Sequence, residues 1–125
     1  MPYIAIVDDE ESVRKALKRL LRASGLDAES YASGEDFLHA AAKRVPDCVV
    51  LDLHMPGMSG MEVLQEMRAT RRATPVVVIT AHDGPDTGAQ CKAAGAATYL
   101  CKPFDDRVLL NAISAILATG KRQPR

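Results

Sequence analysis

The stretch Cys48-Val49-Val50-Leu51-Asp52-Leu53-His54-Met55-Pro56-Gly57-Met58-Ser59-Gly60 decides the fold. Its first four residues are apolar without a break, the pattern of a strand buried on both faces rather than one with a wet side. The run stops at one carboxylate, Asp52. Pro56, Gly57 and Gly60 then break regular structure. Ser59 is a suitable helix N-cap, and Glu62 lies three residues on, the spacing of a capping box. The unit is therefore strand, loop, helix, with an acid at the strand's carboxyl end.

The same grammar repeats on either side. Tyr3 to Val7 is a second continuous apolar run and meets Asp8, Asp9, Glu10 and Glu11. Val13, Leu17, Leu20 and Leu21 follow at helical spacing, and Gly25 closes that helix. Asp27 to Tyr31 is a more polar strand, suited to a sheet edge. Ser33 caps a helix running through Asp36 to Lys43, with Glu35 and Asp36 in its first turn. Pro75 to Ile79 is a third buried strand, ending at Thr80. A helix of small residues spans Pro85 to Ala94 and stops at Gly95. Thr98 to Cys101 is the last strand and ends at Lys102-Pro103. Asp105 or Asp106 opens a final helix carrying Val108, Leu109, Ala112, Ile113, Ile116 and Leu117, which Gly120 ends.

Five strands, most of them apolar, alternating with five helices predict an α/β fold with a parallel sheet covered on both faces. Right-handed crossovers leave few topologies. The expected architecture is the flavodoxin-like (βα)5 doubly wound five-stranded sheet of order 2-1-3-4-5, which binds ligands beyond the carboxyl ends of its strands. Residues 1–119 are expected to form this domain and 120–125 to begin a linker or tail.

Composition limits the function. The chain has 125 residues, and 47% of them are apolar, enough for one core without metal or disulfide staples. Sixteen basic residues balance sixteen acidic ones, which argues against a large nucleic-acid footprint. Cys48, Cys91 and Cys101 are too scattered for a metal knuckle and are expected to be buried, reduced thiols. Acidic residues arrive too early for a signal peptide, and no apolar run approaches a membrane span. A cytoplasmic location is the expectation.

Four strands end in residues with chemistry to offer: Asp8 and Asp9, Asp52, Thr80, and Lys102. Parallel strands bring these ends to one sheet edge. Carboxylates gathered there raise one another's pKa values, and a hard dication such as Mg2+ (or Mn2+) relieves the repulsion. A lysine adds positive charge where phosphoryl oxygens would sit, and a threonine hydroxyl can donate to one of them. Carboxylates are themselves nucleophiles that form aspartyl phosphates. Singly, each residue is more simply a turn acid, a surface lysine or a strand-end hydroxyl; their coincidence on one edge favours a site.

Val7-Asp8-Asp9-Glu10, Leu51 to Gly60, Thr80-Ala81-His82 and Lys102-Pro103-Phe104, in this order and spacing, resemble the receiver domains of two-component response regulators. The likeness runs from Ile4 to about Leu117, and its wording is similar to the FixJ type, which often precedes a helix-turn-helix output domain. The resemblance implies that Asp52 takes a phosphoryl group from the phosphohistidine of a sensor histidine kinase. Asp8, Asp9, Asp52 and the main-chain carbonyl of His54 would hold Mg2+. Lys102 would pair with the acyl phosphate. Thr80 would swing toward it, and Tyr99 would turn inward as the switch aromatic. Ala81 leaves access for the phosphoryl group, while the side chains of His54 and His82 occupy positions that tune its loss. The Lys102–Pro103 bond is expected to be cis. On phosphorylation the helix 4–strand 5–helix 5 face would form a homodimer or release a DNA-binding output domain C-terminal to this chain. Apart from its own phosphorylation and slow dephosphorylation the domain would not be an enzyme.

Other readings weigh less. Haloacid-dehalogenase phosphatases usually carry a second acid two residues after the nucleophile, where His54 stands. An adaptor that works without phosphorylation would not require the intact acidic set. No GxxxxGK[ST] sequence is present for a nucleotide. Arg68, Arg71 and Arg72 read as a solvated helix end. Met55, Met58, Met61 and Met67 read as core packing or an adaptable docking surface. The sparse apolar content of 84–94 suits a movable segment.

Overall fold

The computed structural model describes residues 1–70, 73–81 and 84–122, with side chains to 119. The elements are β1 (Tyr3–Val7), α1 (Glu11–Ala23), β2 (Asp27–Tyr31), α2 (Gly34–Ala41), β3 (Cys48–Asp52), α3 (Gly60–Ala69), β4 (Val76–Thr80), α4 (Thr87–Ala93), β5 (Thr98–Cys101) and α5 (Asp106–Arg122). All strand pairings are parallel and the order is β2-β1-β3-β4-β5, as the alternating pattern required.

Alternation along the strands divides the core in two. Ala5, Val7, Val49, Leu51, Val76 and Val78 face α2, α3 and α4, with Phe37, Val63, Leu64 and Cys91. Ile4, Ile6, Val50, Val77 and Ile79 face α1 and α5, with Leu17, Leu21, Leu109 and Ile113. Every residue of β1, β3 and β4 is buried, whereas β5 is only partly buried along its length. Burying each large aliphatic side chain contributes about 1.5–3 kcal/mol, so the three central strands are the most strongly fixed part of the sheet.

Local chemistry sets the element ends. The Ser59 hydroxyl accepts from the Glu62 N–H and the Glu62 carboxylate accepts from the Ser59 N–H, completing the capping box. Ser33 caps α2 by accepting from the Asp36 N–H. Gly25 and Gly95 carry the positive φ angles that end α1 and α4.

Some boundaries differ from expectation. α2 stops at Ala41, since the chain must turn extended ahead of Pro46. α4 starts at Thr87, because Pro85 and Asp86 form the turn that leads into it. α5 does not stop at Gly120 but runs to Arg122: glycine weakens a helix by about 1 kcal/mol relative to alanine without breaking it. Cys48 and Cys91 are buried thiols as expected, but Cys101 is half-buried because β5 is an edge strand. Met55 and Met67 are core residues, and Met58 and Met61 pack against the core with partial exposure. His82, Arg71, Arg72 and residues 123–125 of the expected tail lie outside the described residues. Among the described residues no helix is long and apolar enough to cross a membrane.

Candidate functional site

Strand register assembles the site. Val7 pairs with Leu51, so Asp8 and Asp52 each stand one residue beyond a matched pair on neighbouring strands. Asp52 pairs with Ile79, which places Thr80 one residue further along β4, and Thr80 pairs with Cys101, which places Lys102 one residue beyond β5. Carboxylate oxygens of Asp8, Asp9 and Asp52 lie within 4.8 Å of one another. Asp8 and Thr80 are wholly buried and Asp52 is 4% exposed, while Asp9 opens to solvent. A buried carboxylate pair beside a wet one is a donor set for a hard, oxygen-seeking dication that keeps part of its water shell.

Lys102 stands among the acids. Its Nζ donates to Asp8 Oδ2 at 3.1 Å and lies 3.8 Å from Asp52 Oδ1 and 3.9 Å from Glu10 Oε1. Burial works against the ammonium. The hydrogen bond that Lys102 donates to Asp8 and the charges of Asp8, Asp52 and Glu10 outweigh it and hold the Lys102 pKa above its ordinary value. Asp8 is fully engaged, since its other oxygen accepts from the Glu10 N–H at 2.9 Å. Its main chain is held too: the Asp8 N–H donates to the Tyr31 carbonyl and the Asp8 carbonyl accepts from Arg14 Nη1.

Burial, then the Asp8 charge, pushes the Asp52 carboxyl up to about 6. Lys102 and a hydrogen bond from the His54 main chain pull the other way, and Asp9 adds a smaller push. Protein groups alone thus leave the Asp52 charge incompletely compensated. An added cation relieves that deficit.

Gly60 makes the loop after Asp52 fit. A Cβ there would fall on the Asp52 carbonyl oxygen and 2.7 Å from Leu53 Cα, and the Gly60 N–H donates to the Leu53 carbonyl. The helix therefore begins against the strand end, where no side chain has room.

At the other side of the site, Tyr99 is half-buried on β5. Its ring lies 3.6 Å from where a Cβ on Gly88 of α4 would stand. Ala81 is exposed, directly after Thr80. The Lys102–Pro103 peptide bond is cis. Beside Lys102 a depression of about 330 Å3 is lined by Val13, Ala16, Leu17, Pro103 and Phe104, joining α1 to the β5–α5 turn. The structure thus brings Asp8, Asp9, Asp52, Thr80 and Lys102 to one edge, with His54, Ala81 and Tyr99 around it. Glu10 and Gly60 were read from sequence only as members of the motifs that contain them, with no role at the site, and Arg14 was not read at all.

Residues 4–114 match the family model described as the response regulator receiver domain. This chain belongs to that family. Over 122 residues, 98% of its length, the receiver is 36% identical to the transcriptional regulatory protein FixJ of Azorhizobium caulinodans, of which it spans 58%. It spans about half of other curated regulators such as TdiR of Thauera aromatica. The receiver from Burkholderia phymatum has a solved structure that superposes with a TM-score of 0.84 at 41% identity, covering 94% of this chain and 96% of that one. The receiver domain of DrrB, solved in a BeF3-activated form, gives 0.86 at 30% identity, covering 94% and 98%. Family membership ties this receiver to two-component signalling.

Proposed function

We propose that this receiver stores a phosphoryl group on Asp52, accepted from a histidine-kinase phosphohistidine, and reports it as a change of shape on the α4–β5–α5 face. The observation that carries the proposal is the meeting of three carboxylates from two neighbouring strands with one ammonium from a third. Asp8, Asp9, Asp52 and the His54 carbonyl would hold Mg2+, as receivers generally do. When bound, the cation supplies charge neutralisation for an anionic donor at an anionic nucleophile.

The chain's own groups do the rest. An Asp52 oxygen attacks phosphorus, the P–N bond to the donor imidazole breaks, and the leaving nitrogen keeps that electron pair and takes up a proton. Lys102 is already a charged donor beside Asp52 and pairs with the phosphoryl oxygens as they arrive. Asp8 keeps Lys102 on this edge in the meantime. Thr80, at the end of a fully buried strand, donates its hydroxyl to the phosphoryl group, and Tyr99 moves into the space so opened. Exposed Ala81 leaves the approach clear, and the side chains of His54 and His82 tune how fast the acyl phosphate is lost.

The altered face would then dimerise or release a C-terminal DNA-binding domain, in keeping with relatives that are transcriptional regulators about twice this length. Residues 1–119 would form the receiver and 120–125 the start of the connection. A near-complete switch requires a differential of about 5.5 kcal/mol, within reach of a phosphoryl group making several charge-assisted contacts.

Incubation with acetyl phosphate and Mg2+, followed by intact mass, tests the assignment. One phosphoryl mass is expected on the wild type and none on Asp52→Asn. An unchanged gain in that variant, or rapid multiple-turnover hydrolysis of a phosphomonoester, would overturn it.

A further inference from the structure

Glu10 occupies the N-cap position of α1, yet its side chain makes no capping hydrogen bond. Ser, Thr, Asp and Asn suit that position, because their short side chains reach back to the first-turn N–H groups. Capping therefore gives no reason to prefer glutamate here over a shorter side chain. Its carboxylate is turned instead toward Lys102, with Oε1 3.9 Å from Nζ. Of the three acids around that ammonium, Asp8 is buried and bound at both oxygens, and Asp52 is nearly buried. Glu10 is the exposed one, 61% accessible against 19% for the lysine.

We propose that Glu10 is a positioning residue for Lys102: a rim carboxylate that shares the ammonium in the resting receiver and must yield it when a phosphoryl group reaches Asp52. The proposal rests on the assignment of Asp52 as acceptor and Lys102 as its counter-charge. Two anions then compete for one cation, and Glu10 sets how much phosphodonor is needed to occupy the site. A half-exposed ion pair is worth only a fraction of a kcal/mol up to about 1, equivalent to roughly a two- to fivefold effect. Glu10 also stands where an anionic donor approaches, so its contact with Lys102 has to be separated from simple repulsion.

Three variants make the separation. Glu10→Gln removes the charge. Glu10→Asp keeps the charge, withdraws it from Lys102 by one methylene and offers α1 a better cap, so folding is retained. Glu11→Gln removes the neighbouring charge, whose partner is Lys15 at 4.0 Å rather than Lys102. Phosphorylation of the full chain by acetyl phosphate in Mg2+ is followed by intact mass, and the Lys102 Nζ resonance is followed by NMR in metal-free protein.

Both Glu10 variants are expected to lower the half-saturating acetyl phosphate concentration about two- to fivefold and to shift the Lys102 resonance, with Glu11→Gln doing neither. A Glu10→Asp variant that matches wild type while Glu10→Gln does not would reduce the effect to bulk charge and overturn the proposal. An unmoved Lys102 resonance in both Glu10 variants, or an equal effect from Glu11→Gln, would do the same. No phosphoryl mass on the wild type would remove the Asp52 assignment and this proposal with it. Normal uptake with an unchanged half-saturation in the Glu10 variants would remove this proposal alone.

Discussion

The β1–β3 pair and the α4–β5 unit share one sheet edge but are built to opposite standards. β1 and β3 are buried at every residue; Asp8, just after β1, is fixed by hydrogen bonds and Asp52, the last residue of β3, by strand register. β5 is half-buried throughout, and α4 is a seven-residue helix whose one fully buried residue is Cys91. α4 is better tied at its C-terminal end, where Arg68 of α3 donates to the Ala93 carbonyl at 2.7 Å, than at its first turn, where Asp86 provides no side-chain cap. Chemistry that needs carboxylates within ångströms of each other sits on the rigid half. The half proposed to move has little buried surface to hold it, as a low-stability element should. The difference teaches that one fold can separate a preorganised acidic cluster from a loosely packed half, the one proposed as its readout, by packing alone.

The largest effect expected is at Gly60. A methyl group there collides with the main chain of Asp52 and Leu53, backbone that the rigid half cannot move cheaply. Gly60→Ala should therefore cost on the order of 3–4 kcal/mol in urea or thermal unfolding and displace Asp52 from its neighbours. A loss under about 0.5 kcal/mol would show that the strand end yields easily, and the contrast between the two halves would fail.

The next test concerns the electrostatic cost of that rigidity. The Asp52 pKa rises from the ordinary 3.8 to about 6 on folding, chiefly through burial and then through the Asp8 charge. The folded state thus holds this proton more tightly than the unfolded chain does. The stability linked to it is present at low pH and is lost as pH rises through the window from about 4 to about 6. In metal-free protein the loss is on the order of 2–3 kcal/mol. Urea melts across that window should show wild type falling relative to Asp52→Asn, with added Mg2+ narrowing the gap at the upper end. Parallel pH profiles for the two proteins would mean that Asp52 is adequately neutralised by Lys102.

Much of this layout was legible in the sequence because the rigid half follows simple rules. Unbroken apolar runs at Tyr3–Val7, Cys48–Leu51 and Pro75–Ile79 mark buried strands, and the first polar residue after each marks its exit at the common edge. The Ser59–Glu62 box is local and was read to the residue. Contacts that depend on side-chain reach between distant segments were not legible. Nothing in sequence says that Lys102 leans closer to Asp8 than to Asp52, or that Glu10 turns from its own helix toward residue 102. The stacking of Arg44 on the Tyr3 ring and its pairing with Asp27 were equally hidden. Arg68 is the solvated helix end that the sequence suggests, but its hydrogen bond to the Ala93 carbonyl, which ties α3 to α4, was hidden. The start of α4 was misplaced because small residues carry no hydrophobic period to read.

The smallest effect expected, and the finest probe of the movable half, is at Gly88. The substitution is the one proposed for Gly60, and the sign should reverse. A Cβ on Gly88 would meet the Tyr99 ring at 3.6 and 3.7 Å, ordinary van der Waals contact, and its backbone is helical. Gly88→Ala should raise stability by about 0.5 kcal/mol, through the entropy that alanine removes from the unfolded chain and the ring contact it adds. Within the proposed switch that gain belongs to the resting arrangement, because it braces Tyr99 where it now stands. Phosphorylation of Asp52 should then proceed normally by intact mass, while the accompanying change in the Tyr99 ring resonances becomes less complete. A variant that is more stable yet switches as fully as wild type would show that Tyr99 does not work against α4, and the loose packing of this half would need another explanation.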